Sequence, residues 1–177
     1  YELYYDKEPI GAEQDEDERE ENYAITGVLI TADGGRFDVK GKYQTETEVG
    51  ESESELFFRA YTSADDRRSY IEVKQEYENE QEDGESEREV EYVYTVVKDG
   101  VGQETMTVEY EEEENEKELV MTISKGGRTE ELTFEDELEN GMRVINVEGT
   151  LDGERVQFRI YVTENGYDYV FPGDPRP

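Results

Sequence analysis

The chain contains no cysteine, no histidine and no tryptophan, and each absence removes a class of chemistry. Without cysteine there is no disulfide, no thiolate nucleophile and no thiolate metal site, and the redox compartment stays open. Without histidine the commonest zinc ligand and the commonest general base near neutral pH are both missing. Any catalysis would fall to carboxylates, Tyr, Ser, Thr or Lys. Without tryptophan the strongest platform for stacking a sugar ring is gone. Apolar runs are short, and none approaches the roughly 20 residues that a membrane-spanning helix needs. Positive charge is scarce: 18 Lys and Arg stand against 50 Asp and Glu, a net charge of −32. Such a chain repels a phosphate backbone, so no nucleic-acid partner is expected, and an anionic membrane surface is disfavoured for the same reason.

What the chain has is tyrosine and alternation. Its aliphatic content is low enough for a highly charged chain to stay disordered. The 14 Tyr and 6 Phe shift that balance, because a tyrosine buries a large ring while its hydroxyl keeps a polar partner. From Tyr23 onwards polar and apolar residues alternate with period two, the pattern of strands with one wet face. In residues 36–49, Phe37, Val39, Gly41, Tyr43, Thr45 and Thr47 share one face. Similar runs cover 23–32, 55–62, 69–77, 89–97, 104–110, 118–124, 129–134, 142–150, 155–163 and 167–171. Disorder has no reason to keep this register, since a slip of one residue turns each apolar set to solvent.

Several connections carry hairpin chemistry, notably Asp99-Gly100, Gly126-Gly127, Asp152-Gly153 and Asn165-Gly166. Direct hairpins make neighbours antiparallel. The expected fold is therefore all-β: a single antiparallel up-and-down meander of about 10 to 11 strands. Because closure removes exposed edges, a closed or nearly closed barrel is expected. A two-sheet sandwich or a curved open sheet is the alternative. Gly41 and Gly149 lie inside strand patterns, where a missing side chain marks a bend or bulge. Residues 1–22 read as an N-terminal strand and acidic linker, 23–171 as the meander domain and 172–177 as a tail. The chain opens at Tyr1 without an initiator Met or an apolar leader. This reads as a processed product or a chain trimmed at a domain boundary, and a secreted or cell-surface protein is expected.

In a meander every second connection lies at the same end, so the sequence also forecasts where charge sits. One end collects 12–22, 48–55, 78–89, 111–118 and 135–140, which hold most of the acids against Arg19, Arg88 and Lys117 alone. The other end is close to neutral. The acidic rim reads in three ways: as solvated loops that keep the protein dispersed, as a docking surface for a cationic partner, or as weak calcium binding by clustered carboxylates. For the last, Glu111, Glu112, Glu113 and Glu114 are the densest candidates, although no run has the spacing of an EF-hand loop.

No catalytic motif stands above background. With 50 acids, some carboxylate pair meets glycosidase spacing by chance, and the paired glycines are turns without a following phosphate-binding helix. The chain is read as a non-enzymatic binding or interaction module without a cofactor. Alternation turns Tyr43, Phe58, Tyr92, Tyr94, Tyr110 and Phe158 to one side. In a barrel they would line an interior able to hold a small apolar or aromatic ligand. The alternatives are a structural or docking role for the acidic rim and, further off, a carboxylate-dependent hydrolase.

Overall fold

The computed structural model describes residues 2–15, 18–32, 34–61, 67–82, 85–113, 116–163 and 166–173. Each run of alternation named above is a strand. The elements are β1 (Glu2–Gln14), β2 (Arg19–Ile30), β3 (Arg36–Glu48), β4 (Glu51–Tyr61), β5 (Tyr70–Glu82), β6 (Glu85–Lys98), β7 (Val101–Glu113), β8 (Glu116–Lys125), β9 (Arg128–Glu139), β10 (Met142–Leu151), β11 (Glu154–Thr163) and β12 (Gly166–Val170). They form one sheet in strict sequence order, each strand antiparallel to the next.

Turn chemistry sets this order. Asp99 and Gly100, Gly126 and Gly127, Asn140 and Gly141, and Asp152 and Gly153 all have positive φ. Two such residues in a row make the tight hairpin whose twist matches its flanking strands. Register then sorts side chains onto two faces. Along one line across the sheet, Tyr23 pairs with Tyr43, Tyr43 with Leu56, Leu56 with Gln75, Gln75 with Tyr92 and Tyr92 with Val108. This is the apolar face.

The main core lies on that face in the N-terminal half. Ile25, Leu29, Val39, Phe58 and Ala60 are buried, with Leu3, Phe37, Tyr43, Leu56, Ile71 and Val73 packed around them. The sheet bends to enclose them, bringing β2 within contact of β4. Gly41 permits the bend: a Cβ there would stand 2.0 Å from the carbonyl oxygen of Phe57. Further buried residues lie on β10 and β11: Val147 on the apolar face, and Val144 with its register partner Tyr161 on the opposite face.

The barrel expected from the strand count does not form. β1 pairs with β2 and β12 with β11, and the two end strands do not pair with each other. Nor is there a two-sheet sandwich; the fold is the open sheet weighed as the alternative. The barrel argument assumed that free edges must be removed by closure, but these edges are protected in other ways. β12 is only 5 residues long. β1 carries Glu2, Asp6, Lys7, Glu8 and Glu13, and its register shifts between Pro9 and Gly11. Short strands, charge, proline and bulges all discourage edge pairing.

The strands also run further than apolar alternation suggested. β5 and β6 pair through to Glu82 and Glu85, and β7 and β8 through to Glu113 and Glu116. The acidic stretches expected as loops are largely paired strand ends. Of the run 12–22, residues 12–14 end β1 and 19–22 begin β2.

Candidate acidic docking face

Extending the strands into the acidic runs has a direct geometric result. A strand places every second residue on the same face, and the acidic runs keep that period, as in Glu51, Glu53 and Glu55 or Glu87, Glu89 and Glu91. Hairpin register then aligns these series from strand to strand. Glu13, Glu20, Glu46, Glu53, Glu78, Glu89, Glu111, Glu118 and Glu135 form one row, each paired directly with the next. The row crosses β1 to β9 and ends where Asn146 and Arg159 take the next two places.

A second row, nearer the sheet end, holds Glu48, Glu51, Glu80, Glu87, Glu113 and Glu116. A third, on the other side, holds Glu55, Glu76, Glu91 and Glu109. Neighbouring strands lie about 4.8 Å apart and same-face residues about 6.7 Å apart along a strand, so the carboxylates occupy a two-dimensional grid. The sheet is concave here, forming a trough of about 590 Å³ lined by Glu46, Glu53, Glu55, Glu76, Glu78, Glu89, Glu91, Glu109, Glu111 and Glu118, among others.

Like charges directly opposite on paired strands destabilise a sheet, and several of the carboxyls are pushed above the usual carboxylate range. Glu78 is pushed up to about 6, first by desolvation, then by a hydrogen bond with Glu80 and the charges of Glu53 and Glu89. Glu53 is raised chiefly by a hydrogen bond shared with Glu51. Glu91 is raised by one shared with Glu76, while Lys74, 2.5 Å from Glu76, holds that partner below the usual carboxylate range.

The opposite face handles charge differently. Arg88, Glu112, Lys117 and Asp136 follow one another in register there, so the signs alternate. Arg88 lies 2.8 Å from Glu112, Lys117 pairs with the same carboxylate, and Arg143 Nε donates to Asp136 at 2.6 Å. Lys125 pairs with Glu104 at 2.7 Å. The molecule's excess negative charge is thus gathered on one face as well as towards one end.

The six aromatic candidates share the apolar face but line no chamber, because no barrel encloses one. Phe58 is 5% exposed within the core, whereas Tyr92 is 44% exposed. Tyr43 packs on the core with its ring 6.1 Å from Tyr23 and 3.7 Å from Lys7 Nζ. Tyr94 is half-buried on β6. Tyr110 lies beneath the Arg88 guanidinium and donates its hydroxyl to Glu112 at 2.8 Å. Phe158 stacks with Tyr169 and Phe171 at 6.3 and 5.5 Å. The apolar-ligand reading therefore gives way: these rings form a surface aromatic patch and part of the core. Among the described residues the open sheet encloses no ligand chamber.

Of the acidic candidates, Glu111 belongs to the long row and Glu113 to the second row. Glu112 faces the other way in its ion pairs, and Glu114 lies outside the described residues. Among the described residues, three carboxylate triads have oxygens within 4.8 Å of one another: Glu18, Glu46 and Glu48; Glu51, Glu78 and Glu80; and Glu87, Glu89 and Glu111. Reading the acidic runs as loops hid most of these positions. The signal that would have revealed them is glutamate recurring at every second residue. No family model, curated protein or solved structure matches the chain, and no helix among the described residues is long and apolar enough to cross a membrane.

Proposed function

We propose that the chain is a non-catalytic docking domain whose glutamate-covered sheet face receives a cationic partner, a lysine- or arginine-rich protein segment or polymer. The single observation that carries this reading is the row of nine glutamates in direct register across β1 to β9. Each member stands opposite a like charge, so an incoming cation relieves repulsion as well as gaining attraction. Long-range steering by the net −32 speeds the encounter.

An oligolysine peptide is expected to bind the intact protein at low salt and to be released as salt shortens the Debye length to about 8 Å near physiological ionic strength. Replacing Glu53, Glu78 and Glu89 together with Gln should weaken binding roughly tenfold, at about 0.5 kcal/mol for each exposed pair. Calorimetric titration reads both effects. Equal affinity for the triple variant and the parent would remove the acidic face from the interaction.

The triads favour a second reading, loose calcium association at the same face. Hard carboxylate oxygens suit calcium, and shared exposed sites of this kind belong at the millimolar end of its affinity range. About 5 mM calcium, the weak regime of such sites, should raise the melting temperature more than sodium at equal ionic strength. Equal shifts would leave screening alone. A secreted or cell-surface setting, where calcium reaches that range, belongs to the same proposal.

A further inference from the structure

A sheet with one apolar face ordinarily buries it against a second layer. Here the core cluster is drawn from β1 to β5 alone, and the contacts between strands run to sheet neighbours, with β2 reaching β4. Among the described residues, the apolar face of β6 to β12 buries Val147 alone to that degree. Tyr92, Leu138, Leu151, Tyr167 and Tyr169 project from it at 44 to 67% exposure, and Phe171 stacks beside them on Phe158.

The total surface measures the deficit. The chain exposes 12354 Å², whereas a compact monomer of 20.6 kDa exposes about 8,900 Å². The excess is about 3,500 Å². A permanent homodimer buries roughly 1,000 Å² or more on each copy, well within that excess.

Charge selects the occupant. A chain of net −32 meeting its own copy would be repelled through most of its surface. The apolar face of β6 to β12 is the exception, because its acids Glu104, Glu112, Glu130, Asp136 and Glu154 are matched in register by Arg88, Lys117, Lys125, Arg128 and Arg143, and three of them are ion-paired there. Two copies can meet there with their glutamate grids turned outwards.

We infer that the uncovered apolar face of β6 to β12 is the interface of a two-fold symmetric dimer, in which a second copy of this chain supplies the missing layer. The contact is isologous, so Tyr92 and the Tyr169 patch of each copy enter the seam. The product is a two-layer particle with an acidic face on each side. This inference does not rest on the docking reading: peptide capture is read on the opposite face, and a dimer forms or fails to form without it.

Sedimentation velocity of the full chain in physiological salt tests it. The expected mass is twice the 20.6 kDa of the monomer. Tyr92→Lys should weaken the dimer about tenfold or more, since a charge then enters a desolvated seam. Tyr4→Lys, at a 59% exposed position on the other face, should leave it unchanged. Far-UV circular dichroism checks that each variant is folded, and Tyr92→Ser is the milder substitution should the lysine variant unfold. A wild-type chain that stays a folded monomer at tens of micromolar overturns the inference. So does a dimer that folded position-92 variants leave intact, which would point to pairing through the free edges of β1 or β12.

Discussion

Gly149→Ala is expected to destabilise the protein by about 3 kcal/mol or more, a loss on the scale of severe backbone strain combined with a steric clash. Gly149 sits inside β10 with φ of 147°, a conformation that L side chains rarely adopt. A Cβ there would stand 1.9 Å from the carbonyl oxygen of Glu131 and 2.9 Å from Cα of Leu132, both backbone atoms of the paired strand. No rotamer change relieves such a contact, so β9 and β10 must separate or the bend must open. Val147, two residues away and 2% exposed, would lose its enclosure with it. Gly102→Ala is the matching control: nothing lies within 4 Å of its Cβ position, and the change should stay within about 0.5 kcal/mol. Urea unfolding followed by circular dichroism separates the two. Equal midpoints would mean that the tight bend at Gly149 is absent from the protein in solution.

Acidification from pH 7 to 5 should raise the melting temperature, the reverse of ordinary acid denaturation. Glu78 is pushed up to about 6, and Glu18, Glu53, Glu87 and Glu91 are also raised above 4.5. A carboxyl whose folded pKa lies above its unfolded value binds its proton more tightly when folded. Its stabilising contribution is fully present below the unfolded value and is lost as pH rises through the folded one. Between about 6 and 4.5 Glu78 therefore favours folding as protons are added, and the other raised carboxyls act with the same sign.

Glu21, Glu76 and Glu112 have the opposite sign, because Arg19, Lys74 and Lys117 hold their carboxyls low. Their contribution is present above 4.5 and is lost as pH falls through their lowered values. The melting temperature should thus pass through a maximum near the bottom of the window. Below it, the approach to the sequence pI of about 4.1 also removes the repulsion that keeps copies apart. Glu78→Gln should raise the melting temperature at pH 7 and reduce its slope between pH 7 and 5. Scanning calorimetry at several pH values reads this directly. A melting temperature that falls steadily from pH 7 to 5 would contradict the shared-proton account of the glutamate rows.

Both predictions concern how one sheet tolerates features that local rules disfavour. Glutamate is depleted in strands, and like charges in direct register oppose pairing. The acidic strand ends persist because their pairing continues from hairpins already in register. In β5 and β6 the acid pairs of Glu76 with Glu91 and Glu78 with Glu89 flank the apolar pair of Tyr77 with Val90, and Val73 faces Tyr94 further in.

Much of this was legible before folding was considered. Alternation in 36–49, 89–97 and 155–163 marks strands because side chains on a strand point to opposite faces in turn. Asp99-Gly100 and Asp152-Gly153 mark hairpins because both central residues must adopt positive φ. From these two local rules follow the meander, the common face of Tyr43, Phe58, Tyr92, Tyr94, Tyr110 and Phe158, and the crowding of acids towards one end. Closure was not legible. It depends on whether β1 and β12 meet, which is settled by the twist and bending accumulated over every strand between them. Register lay out of reach for the same reason: that Glu53 faces Glu78, and Glu78 faces Glu89, is a relation between chain segments that only pairing creates. Local chemistry decided which residues form strands and turns; only the assembled sheet decided that its glutamates form a grid and that half of its apolar face is left uncovered.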